Sequence, residues 1–458
     1  KGCRGRLDKR LGEKPRWNHK INRISYPLPV SGQPVLIAPT MKVKRIAAFV
    51  IFIFSVQLSF SQVSPELQEK WNKESSEPEN PLLRYQPSHL PDRVIITPLE
   101  SDNHSLAITW RSDTTVREGS VEIIEGDAYR FPKDNRERVK STHQVVTYKD
   151  YPMHYHTATI KDLKPNKTYK YRVGKSPFWS PWYTYTHQTV SDTLSILYFG
   201  DVQNGIFGHS SRIFSDAVKK FHAAHLALYV GDLINHADND YEWSEWHTAT
   251  QAINSSIPVI ATPGNHEYMK NLKGSKVQLS AYWMSTFPYP YTWDAGQFYL
   301  DYGFVRLIVM NSNDKIYEQG KWLEQVLSET EKEWVIILSH HPVFSGAKDR
   351  VNKGLQENWL PVIKQHQNKI GLVLQGHDHT YARGGLDDRG GTKENPTHPV
   401  FTVAVVGDKY YELEEQEWMD ASFNQVSIYQ HIQVTKDRIT YQAFSETNTL
   451  IDEFVITK

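Results

Sequence analysis

The sequence predicts two folded parts in series, an all-β sandwich followed by a layered α/β domain. Three observations carry this. Residues 93–190 hold short alternating or β-branched runs separated by turn residues. From residue 194, apolar strand-like runs alternate with helical stretches. The chain has 458 residues, of which 39% are hydrophobic and 12% aromatic, enough for more than one core and against wholesale disorder.

Ahead of these parts lie two segments of different character. Residues 1–61 comprise a basic upstream segment, including the run Lys1–Arg10 and Cys3, the only cysteine, and a signal-peptide pattern from Met41. Lys42, Lys44 and Arg45 form the positive region, residues 46–60 the apolar region, and Ser59-Phe60-Ser61 a small-x-small cleavage site before Gln62. The apolar run is shorter than the ~20 residues of a spanning helix, so no stable membrane span is expected. This implies a secreted or periplasmic protein, with Met41 as the true start and residues 1–40 as upstream translated sequence. Such a mature chain lacks cysteine, which excludes disulfides and thiolate chemistry. Residues 62–92, rich in Glu, Ser and Pro, are expected to be a linker.

In the sandwich, residues 93–97, 106–110, 120–124 and 156–160 have strand patterns. The stretch Leu163-Lys-Pro-Asn-Lys-Thr-Tyr-Lys-Tyr-Arg-Val173 resembles the turn and following strand of fibronectin type III domains. There a tyrosine, here Tyr169 or Tyr171, hydrogen-bonds back across the corner. No chemical constellation marks this part, so a structural or positioning role is expected.

The α/β part, residues 194–458, predicts strands at 196–199, 226–230, 258–261, 305–310, 335–338 and 371–374. Helices are expected at 211–224, 241–254, 321–329 and 353–365, and later strands at 401–406, 426–433, 439–444 and 454–456. Polar motifs follow several of these strands, where ligand sites gather in open α/β folds.

Five motifs occur in order: Gly200-Asp-Val-Gln203, Gly231-Asp-Leu-Ile-Asn235, Gly264-Asn-His-Glu267, Ser339-His-His-Pro342 and Gly376-His-Asp-His-Thr-Tyr-Ala-Arg383. Carboxylate, amide oxygen and imidazole suit hard to borderline metal ions. One aspartate can bridge two ions, and together the set supplies enough ligands for two ions at the roughly 3.5–4 Å separation used in phosphoryl displacement. Singly each motif is an ordinary turn or core histidine. Lys and Arg number 52 and Asp and Glu 52, so no global pull toward nucleic acid or anionic membrane is expected, while a local phosphate site is.

The ordered motifs resemble those of the calcineurin-like metallophosphoesterases, and Gly376–Arg383 with a preceding fibronectin-like domain is similar to purple acid phosphatases. The resemblance runs from about Val94 onward. It implies a fibronectin type III-like sandwich before a four-layer (α-β-β-α) metallophosphoesterase domain. It also implies two divalent or trivalent ions (Fe, Zn, Mn or Mg). The first would be held by Asp201, Asp232 and His379, the second by Asp232, Asn265, His340 and His377, with Asp232 bridging. His341 is the other candidate at its motif, but His340 stands two residues before Pro342 as the pattern asks. His266 would protonate the leaving oxygen. Three departures stand out. Asn235 occupies the place of the metal-binding tyrosine, so the family's colour is not expected. Gln203 stands where many members have histidine, either as a weaker amide ligand or as a partner of a metal-bound water. Near the fourth motif, Lys348 and Arg350 replace histidines, as phosphate-binding cations or, preferably, as a solvated loop.

The expected activity is hydrolysis of phosphate esters, most directly monoesters, by a water acidified at the metals, with no covalent intermediate. The rivals are a phosphodiesterase on the same core and a non-catalytic binding protein. Asn103, Asn166 and Asn254 lie in glycosylation sequons. Tyr241, Trp243 and Trp246 are expected to pack rather than to stack on substrate.

Overall fold

The computed structural model describes residues 85–126, 136–293, 296–386, 390–397 and 399–458, all within the compact unit Pro78–Lys458. The expected signal peptide, the basic segment before it and most of the linker lie outside the described residues. Among the described residues no helix is long and apolar enough to cross a membrane.

The first part is a β-sandwich. One sheet orders strands Asp92–Pro98, Leu106–Asp113, Tyr151–Ile160 and Thr142–Tyr148; the other orders Glu137–Lys140, Ser120–Glu125 and Lys167–Lys175, onto which Phe178–Trp179 and Tyr183–His187 pair. Alternate residues of both sheets meet in one core around Trp110, Val121, Tyr171 and Val173. The corner tyrosine is Tyr169, whose hydroxyl accepts from the Lys164 amide at 2.8 Å. Tyr171 instead donates to the Ser255 carbonyl at 2.8 Å, in the α/β part.

The second part contains two mixed sheets. The six-stranded sheet orders Val259–Ala261, Leu226–Tyr229, Leu194–Phe199, Ile428–Val434, Arg438–Ser445 and Leu450–Thr457, the first three parallel. The seven-stranded sheet orders Phe298–Tyr302, Val305–Val309, Trp334–Leu338, Ile370–Gln375, Val400–Val403, Tyr381–Gly384 and Met419–Phe423, with four parallel strands in its middle. Strand alternation makes the layers. Leu307, Ile336 and Leu372 join the core shared with the six-stranded sheet and the helices Ser211–Lys220 and Asp240–Ala249. Ile308, Ile337 and Val373 join a second core under the helices Ile316–Glu329 and Leu360–Gln365. Both faces are therefore buried, the α-β-β-α order that the resemblance implies.

Helix limits differ from expectation for identifiable reasons. The 353–365 stretch breaks in two near Trp359 because Pro361 occupies the second helix's first turn. The 241–254 stretch breaks at Thr250, whose hydroxyl donates back to the Trp246 carbonyl at 2.7 Å. Trp243 and Trp246 are fully buried and Tyr241 packs edge-on against Tyr85, as expected for packing residues. Of the sequon asparagines, Asn103 and Asn254 are buried and Asn166 is exposed.

The two parts are joined by a buried ionic cluster. Asp240, at the start of its helix, accepts from Arg93 at 2.6 Å, from Arg111 at 3.0 Å and from the Tyr151 hydroxyl at 3.0 Å. All three donors belong to the sandwich, so it grips the helix that follows the second motif.

Candidate metal centre

The carboxyl ends of the parallel strands bring the five motifs together. Asp201 follows Leu194–Phe199, Asp232 follows Leu226–Tyr229, Asn265 and His266 follow Val259–Ala261, His340 follows Trp334–Leu338, and His377 and His379 follow Ile370–Gln375. Glycine permits this crowding: a Cβ on Gly231, where φ is +90°, would lie 2.4 Å from the Gly264 amide nitrogen, and one on Gly264 would lie 2.1 Å from Asp232 Oδ1. Asp232, His377 and His379 themselves have positive φ of 50°, 73° and 48°. Such strained backbone persists only where its surroundings over-determine it, commonly at functional sites.

Asp232 is the centre of the cluster. Its Oδ2 lies 3.2 Å from His340 Nε2 and accepts from Gln203 Nε2 at 3.2 Å, and its Oδ1 accepts from the His266 amide at 2.9 Å. On one flank His379 Nε2 stands 3.1 Å from Asp201 Oδ2 and 2.8 Å from Gln203 Nε2. On the other, His340 Nε2 stands 3.2 Å from Asn265 Oδ1 and 3.1 Å from His377 Nδ1. Ligand atoms of Asp201, Asp232 and His340 all lie within 4.8 Å of one another, as do those of His340, His341 and His377.

These donors suit cations. His340 donates through Nδ1 to the Val230 carbonyl at 2.8 Å, and His379 through Nδ1 to the Lys409 carbonyl at 2.9 Å. In that tautomer each ring offers its Nε2 lone pair to the cluster, His340 beside the oxygens of Asp232 and Asn265, and His379 beside Asp201 Oδ2 and the Gln203 amide, which can donate to it. The electrostatics agree. Burial opposes protonation of His340, yet Asp232 and Asp201 override it and raise its pKa to about 9. Asp201 Oδ2, which faces His379, and Gln203 Oε1 are buried without a hydrogen-bond partner.

Outside the cluster, Glu267 is a residue whose role the motif alone did not reveal. Fully buried, it accepts from the amides of Asp232, Leu233 and Gly264 at 2.9, 2.7 and 2.6 Å, tying the second and third motifs together. Burial and the Asp232 charge push its pKa up to about 8. His341 Nδ1 is bonded to Ser312 Oγ at 2.8 Å and its ring lies 4.2 Å from that of His377, which keeps it within the second group of ligand atoms. Lys348 is exposed and paired with Glu412, a solvated loop residue as expected. Arg350 departs from that expectation. Its Nη1 donates to the His377 carbonyl and to Asp378 Oδ1, both at 3.4 Å, and its guanidinium lies over the Tyr411 ring. Tyr411 in turn packs against His379, so Arg350 braces the backbone between two candidate ligands.

Residues 194–381 match the family described as calcineurin-like phosphoesterase, and residues 91–187 match the purple acid phosphatase N-terminal domain. The chain belongs to the calcineurin-like metallophosphoesterases, in their purple acid phosphatase-like branch. Among solved structures, a purple acid phosphatase from yellow lupin (Lupinus luteus) seeds matches with a TM-score of 0.66 at 17% identity, over 80% of this chain and 74% of that one, which shows the shared fold. Among curated relatives, a phosphoenolpyruvate phosphatase of Allium cepa is 28% identical over 64% of this chain and 63% of its own length. An acid phosphatase type 7 of Danio rerio is 24% identical over 50% of this chain and 58% of its own. The chain thus spans less than two thirds of the length of either relative. This metallophosphoesterase family works with a dinuclear metal centre, and the residues around Asp232 are candidates to hold metal.

Proposed function

We propose that the chain is a secreted phosphatase that hydrolyses phosphate monoesters at a two-ion centre bridged by Asp232. The observation that carries this reading is the position of Asp232 Oδ2, 3.2 Å from Gln203 Nε2 on one flank and 3.2 Å from His340 Nε2 on the other. Asp201, Asp232 and His379, with Gln203 beside them, would hold one ion; Asp232, Asn265, His340 and His377 would hold the second. Divalent or trivalent ions held by these residues would supply polarisation of the phosphoryl oxygens and a water of lowered pKa.

The chain's own groups do the rest. The Val230 and Lys409 carbonyls keep His340 and His379 in the tautomer that offers Nε2. His266 directs Nε2 to the mouth of the site, 4.0 Å from Asp232 Oδ2, and delivers a proton to the leaving oxygen. Burial lowers the His266 pKa, with Asp232 opposing, which loosens the proton that it must give up.

Turnover of nitrophenyl phosphate and of bis-nitrophenyl phosphate by protein loaded separately with Zn, Mn, Fe and Mg tests the activity. Faster turnover of the monoester supports the reading. Faster turnover of the diester replaces it with a phosphodiesterase, and two bound ions without turnover of either replace it with a binding protein. Export is tested by N-terminal sequencing of secreted material, expected to start at Gln62; retention of residues 42–60 contradicts it.

A further inference from the structure

Next to His266 lies a cleft of about 190 Å³, between loop 235–238 and the strand Tyr268–Lys270. His266 stands on its wall, with Nε2 4.0 Å from Asp232 Oδ2, so the cleft borders the candidate metal centre. Its outer side is a two-stranded hairpin, Tyr268–Lys270 paired with Lys276–Leu279. Residues 268–279 contain Lys270, Lys273 and Lys276 and no acidic residue. Lys270 lines the cleft, is exposed and makes no ion pair among the described residues. It is near enough for its charge to act on His266, and both it and Asp232 act on Lys276. Lys276 is tethered, its Nζ donating to Asn313 Oδ1 at 2.6 Å. The acidic residue of the lining, Asp238, is exposed on the opposite loop.

We propose that this cleft is a leaving-group site selective for phosphate esters whose leaving group carries its own negative charge, a carboxylate or a second phosphate, held by Lys270. The inference rests on the monoesterase reading above. In the step, the P–O bond to the leaving group breaks and a P–O bond to water forms. The leaving oxygen takes the His266 proton, and the proton shed by water restores it. The products are inorganic phosphate and an anionic alcohol or acid. The phosphoryl group itself engages the metals, so selectivity arises where the ester's far end meets the lysine. A charge-assisted contact of this kind is worth roughly a tenfold preference and weakens with added salt.

Metal-loaded full-length protein tests this with two probes of matched size, 3-phosphoglycerate and glycerol 3-phosphate, whose leaving groups differ by one carboxylate. The expected kcat/KM ratio is about 10 in favour of the acid at low salt. It should fall toward one in Lys270→Ala, persist in Lys270→Arg, invert in Lys270→Glu, and decline for the unaltered protein between 0.05 and 0.5 M salt, on the order of a tenfold change in ionic strength. A ratio near one in the unaltered protein, or one untouched by Lys270→Ala, overturns the leaving-group site while leaving the phosphatase reading standing. No turnover of either probe or of nitrophenyl phosphate overturns both.

Discussion

His266 donates through Nδ1 to the carbonyl oxygen of Asn235 at 2.5 Å, a bond that joins the third motif to the second and leaves Nε2 as the ring's free nitrogen. The ring is therefore aimed by backbone and not by substrate. Because a general acid matters most for poor leaving groups, His266→Ala is expected to slow alkyl phosphates by about 10²–10⁴-fold. Nitrophenyl phosphate should slow far less, and both ions should remain bound. Steady-state kinetics on the two substrate types, with metal analysis of the variant, check this; an equal loss on both would mean that His266 only binds the loop or the phosphate.

Glu242 holds the loop that carries that carbonyl. Its carboxylate accepts from the amides of Asn235 and His236, both at 2.7 Å, and from the Asn239 side chain at 2.9 Å, and it lies 2.7 Å from His236 Nδ1. Glu242→Ala should release the loop and misaim His266, lowering alkyl phosphate turnover about tenfold, a fraction of the general-acid contribution. The ratio of alkyl to nitrophenyl turnover is the informative reading. A merely structural role would lower both together, and Glu242→Gln should restore part of the ratio.

The same helix is gripped from the sandwich side by Arg93 and Arg111 at Asp240, where all three side chains are almost wholly buried. Removing one member of a buried charge cluster leaves the others uncompensated. Asp240→Ala is expected to cost about 3–5 kcal/mol, read as a lower urea midpoint. A change below about 1 kcal/mol, the range of surface pairs, would show that water replaces the carboxylate.

His156 stacks on Trp110 and His431 on Phe221, and burial holds both pKa values down at about 4, against an ordinary 6.5. Unfolding restores the higher value, so between 6.5 and 4 the unfolded chain binds more protons. Stability is thus full above the unfolded pKa, declines as pH falls by up to about 1.4 kcal/mol per unit for each histidine, and levels off below the folded pKa. Urea midpoints across this range should follow that slope, and His156→Gln should flatten it. An unchanged slope would mean that His156 is protonated in the folded protein.

Much of the site was legible because each motif couples a turn-forming residue to a ligand type immediately after an apolar strand. Asp201, Asp232, Asn265, His340, His377 and His379 converge for that reason. What was not legible acts through backbone or through surfaces of mixed polarity. Glu267 works by accepting three amide bonds, which leave no periodic trace. Arg350 looked like loop charge because its partners, the His377 carbonyl and Asp378, are distant in sequence. The strand Thr142–Tyr148 escaped notice because most of it is exposed and polar, and the hairpin 268–279 because lysines interrupt its alternation. At the corner of the sandwich the pattern offered two tyrosines, and only the fold distinguished Tyr169, at the turn, from Tyr171, facing the next domain. For Gln203 the sequence left amide ligand and hydrogen-bond partner open. The structure shows its Nε2 facing Asp232 and His379 with Oε1 buried and unpartnered, which brings the amide into the cluster without choosing between those roles.

If one carboxylate, Asp232, holds two ions together, metal stoichiometry measured alongside turnover will show it. Protein freed of metal and titrated with Zn or Mn should bind two ions per chain, with phosphatase activity rising as the second is taken up. In Asp232→Asn the bridge loses its charge, so the second ion should be lost and turnover should nearly vanish. Two ions and undiminished turnover in Asp232→Asn, or full activity of the unaltered protein with a single ion, would contradict the account.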